Sequence, residues 1–300
     1  MQGAMDWMRA MKETGARSTV GGHSEPTMAE RRAVLEAMAD FFPLPADVQR
    51  TEVSAGGVPA VWLRTPDSAE GQVLLYLHGG AYQSGSSHSH AELAARIARA
   101  AGIRALVLDY RLAPEHPFPA ALDDAVAAYR WLLDEAGVDP VSIVLAGDSA
   151  GGGLVAATLL AVRDAGLPAP AAAALMSAWT DMTVSGESIR TREGADPLLS
   201  AANLAEAARD YVGVTDPKDP SVSPLFADLS GLPPLLVQVG TEEILLDDSV
   251  GFAESARTAG VDVTLEVAEG LPHVWHAIAS APESTAATER MGSFLAAHLG

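Results

Sequence analysis

The chain has 300 residues, 48% of them hydrophobic, and carries 39 Asp and Glu against 19 Lys and Arg. A net charge of −20 repels phosphate backbones and anionic membrane surfaces, so we expect neither a nucleic-acid partner nor stable membrane insertion. There is no cysteine, which excludes disulfides, thiolate metal sites and a cysteine nucleophile. The first residues show neither a basic leader nor a continuous apolar run, so the default expectation is a cytoplasmic location.

The N-terminal segment, from about residue 3 to 43, has the periodicity of two helices separated by a glycine-containing break at 20–22. Apolar residues recur there at three- and four-residue steps: Met5, Met8 and Met11, then Val34, Leu35, Met38 and Phe41. We expect residues 1–48 to cover a core or a substrate pocket as part of a cap, in preference to lying on a membrane surface.

Two β-rich stretches follow, at 51–54 and 58–65, and the glycines between them have the turn chemistry of a hairpin. Beyond them, short apolar runs alternate with helical segments. This alternation is typical of a mainly parallel sheet covered on both faces, with the hairpin adding antiparallel strands at one edge. The runs are 72–77, 104–109, 142–146, 171–176, 234–239 and 261–267, and the helical segments lie near 89–101, 119–136, 150–166, 248–259 and 285–298.

The interval from about 178 to 225 interrupts the alternation with Asp, Gly and Pro turn signals around one helical stretch, 201–212. We interpret it as the second half of the cap. The expected organisation is therefore N-terminal cap helices (1–48), the first part of an α/β domain (49–177), a second cap segment (178–225) and the second part of the α/β domain (226–300). The motifs described next make the α/β domain the catalytic one.

Residues 147–151 read Gly-Asp-Ser-Ala-Gly, a GxSxG pattern between an apolar strand and a helix rich in Ala and Leu. Glycines on either side of a serine remove the Cβ atoms that would clash in a tight strand-to-helix turn. The helix N-terminus behind it offers free backbone N–H groups and a positive dipole end to a developing oxyanion. The pattern therefore predicts Ser149 as a nucleophile; the alternative is an N-capping serine in a glycine-rich turn.

A second glycine-containing loop, His78-Gly79-Gly80-Ala81, directly follows an apolar strand. In an α/β hydrolase this loop and the residue after the nucleophile supply the N–H groups of the oxyanion hole. We therefore predict that Gly79, Gly80 and Ala150 form that hole. His78 could be mistaken for a general base, but its place at the strand end favours a side chain that braces the loop by hydrogen bonding.

The general base must be one of the remaining histidines, and chain order narrows the choice. In this fold the order is serine, acid, histidine, with the last two on loops at the carboxyl ends of late strands. His273 and His276 both lie just beyond the last predicted strand. We favour His273 because the Gly and Pro before it form a loop, whereas His276 begins the turn into the next segment. His88 and His90 precede the serine and are interpreted as pocket-rim or helix-start residues.

The acid is expected after the apolar run 234–239, where Glu242, Glu243, Asp247 and Asp248 compete. We choose Glu243 because it falls in the loop just past the strand end, ahead of an apolar pair that starts a buried turn. Asp247 or Asp248 instead suits the N-cap of the helix that follows.

Together these segments resemble the bacterial hormone-sensitive lipase family of esterases, within the α/β-hydrolase superfamily. The resemblance covers roughly residues 60–280 and rests on HGGA at 78–81, DYRLAPEHPFPAALDD at 109–124, GDSAGGGL at 147–154, SPLFADLSGLPPLLVQVGTEEILLDDS at 223–249 and GLPHVWH at 270–276. Two positions depart from the family pattern. Ala81 replaces the third glycine of HGGG, and Glu243 stands where the family usually has an aspartate.

The resemblance implies an α/β-hydrolase fold: a mainly parallel eight-stranded sheet flanked by helices, with a helical cap. It implies a carboxylesterase that uses neither cofactor nor metal and cleaves esters of short- to medium-chain acids through a Ser149–His273–Glu243 triad and an acyl-enzyme. Amide, lactone or carbamate hydrolysis uses the same machinery. A non-catalytic small-ligand receptor on the same scaffold is the alternative from another class.

The substrate pocket and the oligomeric state are less constrained by these motifs. Trp179, just past a strand, is predicted to bind substrate in an apolar pocket, although core packing explains it as well. We expect a small-molecule ester as the ligand. A homodimer is expected only because dimers are the commonest oligomers.

Overall fold

One eight-stranded sheet crosses the molecule in the computed structural model, which describes residues 27–300. Its strands are β1 (Gln49–Ala55), β2 (Val58–Arg64), β3 (Ala69–Leu77), β4 (Ile103–Leu108), β5 (Ile143–Asp148), β6 (Ala172–Met176), β7 (Leu235–Glu242) and β8 (Val263–Pro272). In space they follow the order β1-β2-β4-β3-β5-β6-β7-β8. The predicted eight-stranded sheet is confirmed, and each β-rich stretch and apolar run overlaps one strand.

The first two strands form the predicted hairpin at one edge of the sheet. β1 pairs antiparallel with β2 and β2 antiparallel with β4, whereas the other pairings are parallel. Gly56 and Gly57 turn the chain with φ angles of +62° and +89°, a region that side chains disfavour. A Cβ at Gly56 would also lie 2.7 Å from the carbonyl oxygen of Ala127. The hairpin turn therefore depends on glycine for both its conformation and its packing.

Helices cover both faces of the sheet. Within residues 27–300 they are α1 (Met28–Glu36), α2 (Met38–Phe41), α3 (Ala91–Ala101), α4 (Ala120–Asp134), α5 (Ala150–Asp164), α6 (Glu187–Thr191), α7 (Ala201–Val212), α8 (Leu246–Thr258) and α9 (Pro282–His298). Leu75 and Leu77 of β3 belong to one apolar cluster with α4, α5 and α8. Leu74 and Tyr76 belong to a second cluster with α3 and α9, so the strand is buried on both sides.

Within residues 27–300, no helix is both long enough and apolar enough to cross a membrane.

The carboxyl ends of the parallel strands meet at one edge of the sheet. Strands β3, β5, β6, β7 and β8 all run in the same direction there. The residues that directly follow them are His78, Ser149, Ser177, Glu243 and His273. Ligands of parallel α/β sheets bind at this edge, so the topology brings the predicted chemistry into one place.

The chain between β6 and β7 departs from the alternation of strands and helices, as the turn signals of 178–225 predict. It forms α6, α7 and a 3₁₀ turn at Pro224–Phe226. At the N-terminus, the second predicted helix corresponds to α1 and α2. Thr27 caps α1 in a capping box with Glu30. The first predicted helix, with Met5, Met8 and Met11, and the break at 20–22 lie outside the described residues.

None of the residues of α1 is fully buried. Charged side chains connect the helix to the rest of the protein. Arg31 forms an ion pair of 3.2 Å with Glu206 of α7. Arg32 donates to the carbonyl oxygen of Gln83 at 2.7 Å and to both carboxylate oxygens of Glu115 at 3.0 and 2.6 Å. The helix therefore contacts both α7 and the loops around the sheet. The division of the chain into two cap segments and a two-part catalytic domain stays a prediction.

The packing of α9 on α3 predicts opposite effects of one substitution at two helical glycines. A Cβ at Gly292 would lie 2.4 Å from the Cβ of Ala100, so α9 and α3 would have to separate. A Cβ at Gly251 in α8 would have Leu225 Cδ1 as its nearest neighbour, at 3.4 Å. We expect Gly292→Ala to lower the free energy of unfolding by about 1–3 kcal/mol through overpacking. Gly251→Ala should leave it unchanged or raise it by up to about 1 kcal/mol through helix propensity.

Urea-induced unfolding of the two variants measures both free energies, and Gly251→Ala is the matched control. If Gly292→Ala were as stable as Gly251→Ala, the close contact between α9 and α3 would be wrong.

Candidate active site

Ser149 forms the sharp turn between β5 and α5. Its φ and ψ angles are +53° and −123°, a conformation that residues with a side chain rarely adopt. A Cβ at Gly151 would lie 2.1 Å from the carbonyl oxygen of Leu77, and one at Gly147 would lie 2.5 Å from that of Gly151. The two glycines of the motif are therefore required because β3, β5 and α5 approach closely around the serine.

The structure brings the predicted nucleophile, base and acid together. The Nε2 atom of His273 is 3.0 Å from the Oγ of Ser149. Its Nδ1 atom is 2.7 Å from the Oε2 of Glu243. Glu243 directly follows β7 and His273 directly follows β8, and these two strands are paired. All three side chains are buried.

The electrostatic environment of His273 favours its charged form. Burial lowers the pKa of the imidazole, but the hydrogen bond and the negative charge of Glu243 raise it, and the net effect is a pKa above the ordinary value. Asp196 and Asp148 raise the pKa of His273 further. The imidazole is therefore suited to accept a proton from Ser149.

Glu243 has hydrogen-bond donors on both carboxylate oxygens. Besides His273 on Oε2, its Oε1 accepts from the hydroxyl of Ser177 at 2.8 Å and from the N–H of Gly240 at 2.7 Å. These donors offset the cost of burying a negative charge. Ser177 was not singled out from the sequence, although it directly follows β6, and the carboxyl ends of parallel strands carry the site.

The other three candidates for the triad acid, Glu242, Asp247 and Asp248, have partners other than His273. Glu242 pairs with Arg192 at 3.8 Å. The expectation that Asp247 or Asp248 caps the following helix is wrong, because α8 begins at Leu246 and its N-cap residue makes no side-chain cap hydrogen bond. Asp248 accepts from the N–H groups of the loop after β6, at 2.8 and 2.9 Å, and Asp247 accepts from an N–H group of α6.

Two other histidines near the triad are structural. His276 is buried, with Nε2 3.0 Å from the Oε1 of Gln238, and burial lowers its pKa to about 3. His78 is buried as well, with Nδ1 2.8 Å from the carbonyl oxygen of Gly79, its ring stacked on Tyr110 and its pKa lowered by burial to about 3. Both rings are therefore neutral at pH 7. His78 makes the loop-bracing contact that its position predicts.

The prediction that Gly79 contributes to an oxyanion hole is wrong, because its N–H group has another acceptor. It donates to the Oδ1 of Asp148 at 3.0 Å. The N–H groups of Gly80, Ala81 and Ala150 have no acceptor within residues 27–300. Gly80 and Ala81 also line the pocket that contains Ser149. The candidate donors to an oxyanion are thus Gly80, Ala81 and Ala150.

Asp148 ties the turn at Ser149 to the loop after β3. Its carboxylate accepts from the hydroxyl of Tyr76 at 2.7 Å and lies 3.5 Å from Nε2 of His90. Burial alone would raise the pKa of Asp148, but His90 and the Tyr76 hydroxyl outweigh it, and the pKa is lowered to about 2. This fixed carboxylate explains why the first amide of the loop is not available to a ligand. The sequence analysis does not single out Asp148, and its only mark in the sequence is its place in GDSAG, directly before the nucleophile.

A pocket of about 290 Å³ opens onto Ser149 and His273. Its wall is mainly apolar, which suits an uncharged organic ligand. The apolar lining comes from α1, from the segment around α7 and from the loops after β3 and β8: Met28, Val34, Leu35, Ala81, Leu198, Leu199, Leu204, Val274 and Ala277. His90 also lines the pocket, at the start of α3, as predicted.

Trp179 does not lie in this pocket, which corrects its predicted role in substrate binding. Its side chain is fully buried, and the indole N–H donates to the carbonyl oxygen of Asp181 at 3.0 Å. The ring lies beside that of Tyr82, at a centroid distance of 6.3 Å. The tryptophan therefore packs in the core.

Within the described part of the chain, no group of three or more His, Asp or Glu side chains could hold a metal ion.

Comparison with known proteins identifies the class of protein to which this geometry belongs. The model of a family described by its α/β-hydrolase fold matches residues 74–277. The chain is 46% identical over 278 residues to an acetyl-hydrolase of Streptomyces hygroscopicus, covering 92% of this chain and 91% of that protein. It is 37% identical over 270 residues to an esterase of Acinetobacter venetianus, covering 88% of each.

A solved structure gives the closer assignment. The crystal structure of an esterase from the bacterial hormone-sensitive lipase family superposes with a TM-score of 0.93 at 46% identity, covering 99% of this chain and 98% of that one. The chain belongs to the α/β-hydrolase-fold family, and its resemblance to the bacterial hormone-sensitive lipase family of esterases is confirmed. The comparisons support a hydrolase with carboxylesterase activity on small-molecule esters.

Proposed function

We propose that the protein hydrolyses esters of short- to medium-chain carboxylic acids, with Ser149 as nucleophile, His273 as general base and Glu243 as the acid that orients it. The observation that carries the proposal is the unbroken set of contacts from Ser149 through His273 to Glu243, at 3.0 and 2.7 Å. A strained serine on a strand-to-helix turn, a histidine within reach of its hydroxyl and a buried carboxylate on the far nitrogen are the parts of acyl-transfer chemistry.

In the first half of the reaction, His273 accepts the proton of Ser149 as its hydroxyl attacks the ester carbonyl. Glu243 holds the imidazole in the tautomer with hydrogen on Nδ1 and stabilises the imidazolium that forms. The N–H groups of Gly80, Ala81 and Ala150 bind the oxyanion. The imidazolium then protonates the leaving alcohol, and the acyl group stays on Ser149.

In the second half, a water molecule gives a proton to His273 as it attacks the acyl-enzyme. The same amides stabilise the second oxyanion, and the imidazolium returns the proton to Ser149 as the carboxylic acid departs. Loss of one such donor typically costs about 3–4 kcal/mol of transition-state stabilisation, so the loop after β3 contributes to catalysis alongside the triad.

Substrate size and class rest on the pocket and on the relatives. The mainly apolar lining and the volume of about 290 Å³ suit a small ester. Relatives are named acetyl-hydrolase, esterase and, in Pseudomonas putida at 35% identity, ethyl acetate hydrolase. Amide, lactone and carbamate hydrolysis share the machinery, but these names favour esters. A receptor would not need the contact between Ser149 and His273.

The assembly belongs to the proposal as well. Among residues 27–300, β8 is the outermost strand on its side of the sheet, and Val267 in it is 46% exposed. An unpaired strand edge can pair with the same edge of a second copy, which supports a homodimer. Light scattering should then give twice the 31.0 kDa mass of the chain, and a particle of 31.0 kDa would exclude the dimer. A cytoplasmic location stays a prediction.

Ser149→Ala tests the nucleophile. We expect the variant to fold with an unchanged midpoint of unfolding, while turnover of p-nitrophenyl butyrate falls by a factor of at least about 10⁴, because no acyl-enzyme can form. Phenylmethylsulfonyl fluoride should modify the unsubstituted protein once, at Ser149, as measured by peptide mass spectrometry. Turnover retained in Ser149→Ala would overturn the assignment.

Glu243→Gln tests the acid, with Glu242→Gln as the matched control on the adjacent residue. The amide lacks the charge that raises the pKa of His273, so this pKa should fall. Because catalysis needs the neutral imidazole, the acidic limb of the kcat/KM profile should move to lower pH. The maximum rate should drop by a factor of about 10²–10⁴, since the tautomer is no longer fixed.

For Glu242→Gln we expect the rate and the profile of the unsubstituted protein. Full activity in Glu243→Gln would transfer the role to another carboxylate.

A further inference from the structure

Ser177 occupies a constrained position beside the triad. It directly follows β6, its side chain is fully buried and its φ angle is +48°, in the left-handed region. Its N–H donates to the carbonyl oxygen of Gln238 in β7 at 2.7 Å. The backbone of Ser177 is therefore fixed by the sheet itself.

The hydrogen bonds of the Ser177 hydroxyl have a defined direction. The N–H of Val274 lies 3.1 Å from Oγ and can only donate, so Oγ accepts there. The Oε1 of Glu243 lies 2.8 Å away, and a carboxylate oxygen can only accept, so the Ser177 O–H donates to it. The hydroxyl thus has one acceptor contact and one donor contact, both to residues of the site.

These contacts close a ring. Glu243 binds Ser177 through Oε1 and His273 through Oε2, and His273 is covalently joined to Val274, whose N–H returns to Ser177. We infer that Ser177 is a positioning residue of the triad, whose hydroxyl holds the Glu243 carboxylate and the His273 loop at a fixed separation. The inference rests on the proposed function, because it assigns the triad roles to these residues.

The ring of hydrogen bonds constrains the loop after β8, whose backbone conformation at Val274 is unfavourable by itself. Val274 has a φ angle of +47°, which is unfavourable for a β-branched residue. Without the hydroxyl, the partly buried N–H of Val274 would lose its acceptor, whereas the Oε1 of Glu243 would keep the N–H of Gly240 at 2.7 Å. The His273 loop would then hold the imidazole less firmly opposite Ser149, with the Oε2 of Glu243 still on its Nδ1, while the substrate pocket would keep most of its wall.

The effect of the Glu243 carboxylate on the pKa of His273 also depends on Ser177. A carboxylate that loses a hydrogen-bond donor attracts an imidazolium more strongly, so removal of the hydroxyl should raise the pKa of His273. The charged groups that act on His273 are Glu243 after β7, Asp196 in the segment between β6 and β7, and Asp148 at the end of β5. Of these three, Glu243 is the one that Ser177 binds.

The experiment compares Ser177→Ala, Ser177→Gly and Ser223→Ala by kcat, KM and the pH profile of kcat/KM with p-nitrophenyl butyrate. Ser177→Ala removes the hydroxyl. Ser177→Gly removes the hydroxyl and also the Cβ, which makes a positive φ unfavourable. Ser223 is the matched control, because it is also a fully buried serine whose hydroxyl accepts from an N–H, at 2.7 Å, and donates to a carbonyl oxygen, at 2.6 Å, away from the triad.

For both Ser177 variants we expect kcat to fall about 10- to 100-fold with KM within about two-fold, since misplaced catalytic groups affect chemistry more than binding. The acidic limb of the profile should move to higher pH in both. Ser223→Ala should keep both properties, even if its midpoint of unfolding falls. If Ser177→Ala does not fold, Ser177→Gly carries the test.

Several results would overturn the inference. An unchanged kcat and acidic limb in either Ser177 variant would do so, as would a loss in Ser177→Ala that Ser177→Gly restores, because strain and not the hydroxyl would then matter. The same loss and shift in Ser223→Ala would also remove it. These results leave the proposed function intact as long as Ser149→Ala is inactive; activity in Ser149→Ala would remove both.

Discussion

The site depends on a backbone constraint: the chain must reverse from β5 into α5 at Ser149 within a single residue. The positive φ of +53° at this serine is matched by +48° at Ser177, +47° at Val274 and +56° at Ala81. Each such conformation costs on the order of 1–3 kcal/mol and persists only where its surroundings hold it. Here the sheet holds them, since these residues lie at or just beyond the carboxyl ends of strands. The strain is concentrated where the reacting groups meet.

The second requirement is that the Asp148 carboxylate, which lies close to the place where the oxyanion forms, is held in a fixed position. The Asp148 carboxylate lines the pocket, and its charge would disfavour an oxyanion most strongly if the side chain were free to move toward it. Tyr76, His90 and the N–H of Gly79 hold it instead, at 2.7, 3.5 and 3.0 Å. The carboxylate uses the first amide of the loop and so anchors the next ones near Ser149. In effect, one buried carboxylate joins the nucleophile turn and the oxyanion loop into one rigid unit.

The sequence predicted the residues that follow strand ends better than the directions of their polar groups. Ser149 and His273 could be found because parallel strands deliver their carboxyl ends to one edge, and Glu243 because it is the first residue after β7. The role of Gly79 could not, since the direction of its N–H depends on Asp148, 69 residues away. Trp179 illustrates the same limit, because a residue just past a strand can turn into the core or into the pocket. Local pattern fixes position along the chain, whereas tertiary contacts fix orientation.

Two parts of the pocket are held by different forces: the floor, formed by the triad and the oxyanion loop, and the roof, which includes α1. The groups that carry out the chemistry are therefore separate from those that select the substrate. The triad and the oxyanion loop lie on buried strand ends, where a change of one methylene group is felt. The roof includes α1, which has no fully buried residue and is fastened through Arg31 and Arg32 by partly exposed ion pairs. Such pairs contribute about 0–1 kcal/mol each and weaken in salt. Substrate range can therefore change through Met28, Val34 or Leu35 without disturbing the groups that break the ester bond.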